Sequence, residues 1–312
     1  MTKEIKVFAP ASVSNIACGF DIMGFAVDKP GDELVLRRIE EKSIVIKSIT
    51  GDDGCLTKEV SKNTAGLPII ELFKDFNLSG GVEIEIHKKM PLGSGLGSSA
   101  ASAVAAAFAM NNLFELNLTN MELLNYAIKG EELASGAVHA DNVAPCLFGG
   151  FILIRSYDPI DIIELHVPDN LYCSILHLDV KINTKESRKL LPTEVPLNLA
   201  IKHWGNTAGL IAGLYKNDIA LIGRAIEDFI IEPVRGKFIP NYYKIKQAAY
   251  EAGAAGCNIS GSGPSVFALS DNPQTAEKIS HAMENAAAEV NVKTCSFVSQ
   301  VNKVGPKVIY KN

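Results

Sequence analysis

Residues Gly93-Ser94-Gly95-Leu96-Gly97 place three glycines on alternate positions, between a stretch of alternating apolar and acidic residues and a run of alanines. Glycine lets the backbone enter φ > 0 and approach a ligand closely, so that successive N–H groups can point into one concavity. Upstream, Val82, Ile84 and Ile86 alternate with Glu83 and Glu85, the period-2 pattern of a strand with one buried face. Downstream, Ser98 to Met110 is alanine-rich and opens directly after the glycines, which predicts a helix. Strand, glycine loop and helix N-terminus in that order form an anion cradle, in which loop amides and the positive end of the helix favour phosphate. Ser98 and Ser99 add hydroxyls for phosphate oxygens or a metal. No Gly-Lys-Ser/Thr follows, so this is not a Walker A loop, and the glycine spacing does not fit a dinucleotide fingerprint. A phosphate loop without its own lysine needs another counter-charge, most simply Mg²⁺. Taken alone, the motif is also compatible with a plain glycine turn before a helix.

The flanking patterns favour an α+β fold. Leu34 to Ile39 and Ser43 to Ile49 read as further strands, and Thr119 with Glu122 forms a capping box that opens a helix toward Leu133. Beyond a strand at Tyr172 to Leu178 come amphipathic helical patterns at Leu197 to Tyr215, Ile219 to Phe229 and Tyr242 to Ala252. Asp218 is a cap candidate, Pro240 suits a first turn, and Gly253 is placed to end the last helix. Cys257 to Ser260 and Val266 to Leu269 read as strands around Gly261-Ser262-Gly263. Asn272-Pro273 starts a helix to about Ala288, and Lys293 to Ser299 closes as a strand. At 312 residues the chain suits two domains, divided between 155 and 172, and we expect units 1–165 and 166–312.

Lysine and arginine number 30 against 35 acidic residues, so a net charge of −5 gives no broad attraction for nucleic acid or anionic membranes. Six cysteines show no CxxC pair and read as reduced, mostly core thiols. The N-terminus lacks an apolar run of signal-peptide length, and Ala103 to Met110 is too short to span a bilayer, so a soluble cytoplasmic protein is expected.

Several polar residues invite a chemical reading. If Thr119 to Leu133 is one helix, Glu131 falls on its apolar face with Leu124 and Ala127, where a carboxylate must meet a cation, either a basic side chain or a metal. Val138-His139-Ala140-Asp141-Asn142 gathers an imidazole, a carboxylate and an amide, suited to helix capping or to substrate positioning. The Gly261-Ser262-Gly263 turn reads as a hairpin connection. Arg188 and Arg235 read as solvated bases or as forks for a carboxylate.

Together, Pro91 to Ala101, the early segment Pro10-Ala11-Ser12-Val13-Ser14-Asn15 through Asp21, and Ser260-Gly261-Ser262-Gly263-Pro264 resemble the three motifs of the GHMP small-molecule kinase superfamily, in the expected order. Asn15 with Asp21, the segment 138–142, Asn183-Thr184 with Arg188, and Glu232-Pro233-Val234-Arg235 resemble its homoserine kinase branch. The resemblance implies a ribosomal S5 domain 2-like first domain, a ferredoxin-like second domain and a homodimer. It implies ATP as co-substrate, cradled by Pro91, Leu92, Gly93, Ser94, Gly95, Leu96, Gly97, Ser98, Ser99, Ala100 and Ala101. Asn63 and Thr64 fall where the family contacts adenine, and Ser99 and Glu131 would hold Mg²⁺. Asn15, Asp21, His139, Thr184, Arg188, Arg235 and Gly261 would bind L-homoserine, with Asp21 suited to its ammonium and the arginines to its carboxylate. Asn142 is expected to orient the alcohol beside a structural Asp141. A mevalonate or sugar kinase would instead need a site for an uncharged or anionic substrate, against which Asp21, Arg188 and Arg235 argue. A regulatory nucleotide-binding protein is disfavoured by the presence of both Ser99 and Glu131.

Overall fold

The computed structural model describes residues 2–135, 140–182 and 184–312. Its first part runs β1 (Glu4–Ser14), β2 (Met23–Ile39), β3 (Ile44–Thr50), α1 (Gly66–Asp75), β4 (Gly81–His87), α2 (Ser98–Phe114), α3 (Asn120–Ser135), α4 (Ala140–Phe148), β5 (Phe151–Tyr157) and β6 (Ile160–Leu165). The second part runs β7 (Tyr172–Leu178), α5 (Thr184–Lys189), α6 (Leu197–Lys216), α7 (Ile219–Ala225), α8 (Glu232–Arg235), α9 (Tyr242–Glu251), β8 (Gly256–Ile259), β9 (Val266–Ser270), α10 (Pro273–Ala288), β10 (Thr294–Gln300) and β11 (Lys307–Lys311). The fold is α+β, with helices packed on largely antiparallel sheets as the sequence pattern implied. No helix among the described residues is long and apolar enough to cross a membrane.

One sheet has the order β11-β1-β2-β4-β3, with β5 pairing β2 and β6; only β3 and β4 run parallel. The other has the order β10-β7-β9-β8 and is antiparallel throughout. The last strand crosses back to the first sheet, where Ile5 pairs with Lys311. Asn302 secures that return: its carbonyl oxygen Oδ1 accepts from the N–H of Val304 and Gly305, and its Nδ2 donates to Asp28.

Helix α2 lies at the centre of the first layer. Its alanines at 100, 101, 103, 105, 106, 107 and 109 are all buried, because a small side chain lets sheet and neighbouring helices approach from nearly every side. Gly130 of α3 continues this close approach: a Cβ there would stand 2.9 Å from that of Ala103. Glu131 follows it onto the same buried face, while Glu132 is exposed, as the helical spacing predicted.

Two helix limits differ from the sequence expectation. The pattern at 219–229 stops at Ala225, because the Asp228 carboxylate turns to cap α8, accepting from the N–H of Ile230, Ile231 and Glu232 at 2.8, 2.8 and 3.0 Å. Pro240 lies outside α9, whose N-cap is Asn241 with a positive φ. The other signals hold: the Asp218 side chain caps α7, Gly253 with φ +105° follows α9, and Asn272 caps α10.

A buried ion pair ties the start of α2 to the sheet. Lys88 extends the Val82, Ile84, Ile86 alternation by one more inward position, so its side chain passes under the glycine loop. There it pairs with Asp32 and donates to the Ser98 carbonyl and the Ser102 hydroxyl, each at 2.7 Å. Asp32 in turn accepts from the N–H of Lys89 at 2.7 Å and from the Ser98 hydroxyl at 3.1 Å. Burial holds the Lys88 ammonium below the usual lysine range, against the opposing pull of Asp32. Replacing Lys88 with alanine strands the Asp32 charge and should cost about 3–5 kcal/mol of stability in a urea titration. An unchanged midpoint would show that the pair does not anchor α2.

Candidate active site

The glycine loop, the starts of α2 and α4, the turn after β1 and the Gly261 turn converge on a cavity of about 460 Å³. Leu92, Gly93, Ser94, Gly95, Gly97, Ser98 and Ser99 line it from the loop side, with Thr64 and Glu131 nearby. Asn15, Asp21, Asp141, Asn142, Arg188, Arg235 and Gly261 line the remainder. Leu96, Ala100 and Ala101 turn their side chains into the core. Pro91 is outside the lining. Asn63 stands behind Thr64, with its amide donating to the Thr57 carbonyl at 2.8 Å and accepting from the Ala65 N–H at 3.0 Å. Thr184 opens α5, and Asn183 and His139 lie outside the described residues.

Only one of the three loop glycines is open to space. Gly93 has φ +65° and nothing within 4 Å of where a Cβ would stand. Gly95 at φ +76° is pressed against the second glycine turn, where a Cβ would come within 2.5 Å of the Ser260 carbonyl oxygen. The contact is fixed by the Ser260 hydroxyl donating to the Gly95 carbonyl at 2.7 Å and the Ser265 N–H to the Ser94 carbonyl at 3.2 Å. The 261–263 turn therefore does join two antiparallel strands, and it also walls the cavity.

The turn after β1 holds Asp21 in a strained backbone: Asn15, Ile16, Ala17 and Asp21 all have positive φ. Asn15 braces it, accepting from the Asp21 N–H at 3.0 Å and donating to the Gly261 carbonyl at 2.9 Å. Its amide thus acts first as a strut between two walls. The Tyr157 hydroxyl adds a hydrogen bond of 2.6 Å to the Asp21 carbonyl.

Charge is distributed unevenly across the site. Asp21 and Arg188 form a two-pronged ion pair, with Nη1 to Oδ1 at 3.1 Å. Arg235 is only 3% exposed, donates Nη1 to the Gly261 carbonyl at 2.9 Å, and leaves Nε without a partner. Among the described residues it makes no ion pair, and burial together with the nearby Arg188 lowers its pKa from the usual arginine value. A buried fork with a spare donor suits an incoming anion.

Two buried carboxyls line the same cavity. Burial raises Glu131 to about 7, against a hydrogen bond from the Ser99 hydroxyl. Burial, with Asp21 adding repulsion, raises Asp141 to about 7, and its Oδ1 has no hydrogen-bond partner. Asn142 beside it is clamped, accepting from the Ser12 hydroxyl at 2.9 Å and donating to the Ser14 hydroxyl at 3.0 Å. Sequence reasoning missed Lys88, Ser14 and Ser102, which also line the cavity. For Lys88 the signal was present, one more step of the β4 alternation.

Glu131 and Ser99 offer hard oxygen donors. The described residues contain no group of three His, Cys, Asp or Glu side chains suited to a metal. One carboxylate and one hydroxyl fit Mg²⁺, which keeps waters and takes its remaining oxygens from phosphates.

Because both raised carboxyls stay protonated in the fold well above their unfolded pKa values, the folded state binds more protons than the unfolded chain up to about pH 7. Ligand-free stability should therefore fall as pH rises from about 5 to about 8, and Asp141→Asn should flatten that slope. Melting temperatures across that range, identical in slope for both proteins, would contradict the assignment.

The GHMP kinases N terminal domain family matches residues 63–150 and the GHMP kinases C terminal family matches residues 210–289. The homoserine kinase of Chlorobium phaeobacteroides (strain BS1) is 46% identical over 319 residues, covering 98% of this chain and 100% of that one. That of Methanococcus maripaludis (strain C5) is 40% identical over 269 residues, covering 86% and 88%. The crystal structure of homoserine kinase from Cytophaga hutchinsonii superposes with a TM-score of 0.96 at 52% identity, covering 99% of this chain and 98% of that one. The likeness runs through both sheets and both glycine turns, and the chain belongs to the homoserine kinase branch of the GHMP kinases, which are ATP-dependent phosphotransferases.

Proposed function

We propose that the protein transfers the γ-phosphoryl group of ATP to the side-chain hydroxyl of L-homoserine, giving O-phospho-L-homoserine for threonine synthesis. The observation that carries this reading is the charge arrangement at one end of the cavity: Asp21 paired with Arg188, and Arg235 buried without an anion. An amino acid matches it group for group. Its ammonium replaces Arg188 at Asp21, and its carboxylate takes the released Arg188 together with Arg235. An uncharged or purely anionic alcohol would break the internal pair and leave a charge unmatched.

The chain's own groups then act mainly by placement, because phosphoryl transfer depends on alignment and charge neutralisation. The glycine loop amides and the start of α2 receive the phosphates. Ser99 and Glu131 would hold Mg²⁺, which neutralises phosphate charge when bound. Asn142, fixed by two serine hydroxyls, directs the substrate hydroxyl toward the γ-phosphorus. The new O–P bond forms as the bond to the β,γ-bridging oxygen breaks, ADP departs with that electron pair, and the hydroxyl proton passes to an oxygen of the transferred phosphoryl group and from there to solvent. Asp141 is structural in this reading, a buried carboxyl whose pKa burial and the nearby Asp21 raise to about 7. Its unpartnered Oδ1 and raised pKa also favour a second reading, in which Asp141 accepts that proton.

A cytoplasmic setting is part of the same proposal, supported by ATP as co-substrate and free cysteines throughout the described chain. So is a homodimer: Leu197, Ile201 and Trp204 repeat at helical spacing on α6 and remain exposed. The proposed division at 165/166 falls between the strands of the two sheets, with β11 crossing back.

ADP release from Mg-ATP should be strong with L-homoserine, with mass spectrometry identifying its O-phospho ester. The value of kcat/KM should fall about 100-fold or more for γ-hydroxybutyrate, which lacks the ammonium, and for aminopropanol, which lacks the carboxylate. Equal turnover of all three would overturn the charge-matching argument. Arg235→Leu should raise KM for homoserine with little change for ATP, whereas equal weakening of both would make Arg235 a general structural residue. Asp141→Asn should keep kcat within about tenfold if Asn142 orients the alcohol, and a larger collapse would favour Asp141 as base.

A further inference from the structure

The substrate reading requires two guanidiniums to converge on one carboxylate, and nothing yet described holds them together. They repel: the charge of Arg188 lowers the pKa of Arg235, and in the ligand-free protein the stronger attraction of Asp21 opposes it. Asp21 restrains Arg188 only while no ammonium competes for it. Arg235 is tied to the Gly261 carbonyl, which Asn15 already shares, and no carboxylate pairs with it among the described residues. Once an ammonium engages Asp21, a neutral contact is needed to keep the pair in place.

Phe20 occupies that position. The guanidinium carbon of Arg188 stands 5.4 Å from the centre of its ring and that of Arg235 stands 5.2 Å away, both within cation–π range. The ring is itself half-buried and does not line the cavity. It precedes Asp21 in the strained turn that Asn15 and Tyr157 brace, so its place is set by the same contacts that set the ammonium site.

We propose that Phe20 is a positioning residue that gathers Arg188 and Arg235 on one aromatic ring and so presets the spacing of the carboxylate fork. An aromatic ring attracts both cations without neutralising either, which no carboxylate could do without competing with substrate. It also supplies Arg188 with a second favourable contact when Asp21 turns to the ammonium. Asp21 and Phe20, adjacent in sequence, then serve the two ends of one amino acid: the first binds its positive group, the second aligns the receptors for its negative group.

This inference rests on the homoserine reading, and the test separates the two. Phe20→Leu keeps an apolar side chain but removes the π face, and Phe20→Tyr restores the face. In steady-state assays Phe20→Leu should raise KM for homoserine about tenfold, with kcat, KM for ATP and melting temperature near those of the parent protein. Phe20→Tyr should return KM to within about threefold of the parent. A Phe20→Leu enzyme with unchanged KM for homoserine, or one that loses homoserine and ATP binding together, would overturn the role. So would a Phe20→Tyr enzyme as impaired as Phe20→Leu at equal melting temperature. If the parent protein itself fails to phosphorylate homoserine, it is the substrate reading that falls.

Discussion

Two glycine turns from distant parts of the chain meet backbone to backbone, and the cavity exists because they do. Gly95 can lie against Ser260 and Gly263 only without a Cβ, and a Cβ on Gly261 would in turn crowd the Gly95 carbonyl and the Ser14 hydroxyl at 3.2 Å. The contact joins the loop above α2 to the connection between β8 and β9, so the phosphate end and the amino-acid end of the site are built on one seam. Any side chain inserted there would separate the two ends.

The ionisable groups lining and underlying the cavity fall into three states of commitment. Lys88 and Asp32 are fully engaged with each other and with backbone and hydroxyl partners, and they serve the architecture. Asp21 and Arg188 are engaged with each other in a pair open to solvent, which a zwitterion can exchange for better partners. Arg235 and Asp141 keep atoms without hydrogen-bond partners among the described residues in a buried setting, at a cost to the ligand-free protein.

Much of this was legible in the sequence wherever local pattern and tertiary role coincide. Strand β4 and the inward face of α3 follow from period and a capping box, helix α2 from its alanine run, and the glycine loop announces its own backbone geometry. Strand β1 was not legible, because Pro10 lies in it beside a register shift and its later residues are buried on both faces, which erases the alternation. The returning β11 and the place of β5 beside β2 are defined by distant pairing rather than by composition. Lys88 escaped because a lysine at the end of a strand reads as solvated until its neighbours are known. The end of α7 escaped because Asp228 could cap what followed as readily as continue what came before. The roles of Asn15 as strut and Asn142 as clamped amide depend on partners 246 and 128 residues away, which no spacing rule reveals.

In the proposed function, substrate replaces the internal Asp21–Arg188 pair by supplying both of its partners. A crystal structure with L-homoserine and a non-hydrolysable ATP analogue would show this exchange. The ammonium should lie at Asp21, the carboxylate between Arg188 and Arg235, and the hydroxyl at the Asn142 amide. Homoserine bound with the Asp21–Arg188 pair intact, or with its carboxylate away from both arginines, would contradict it.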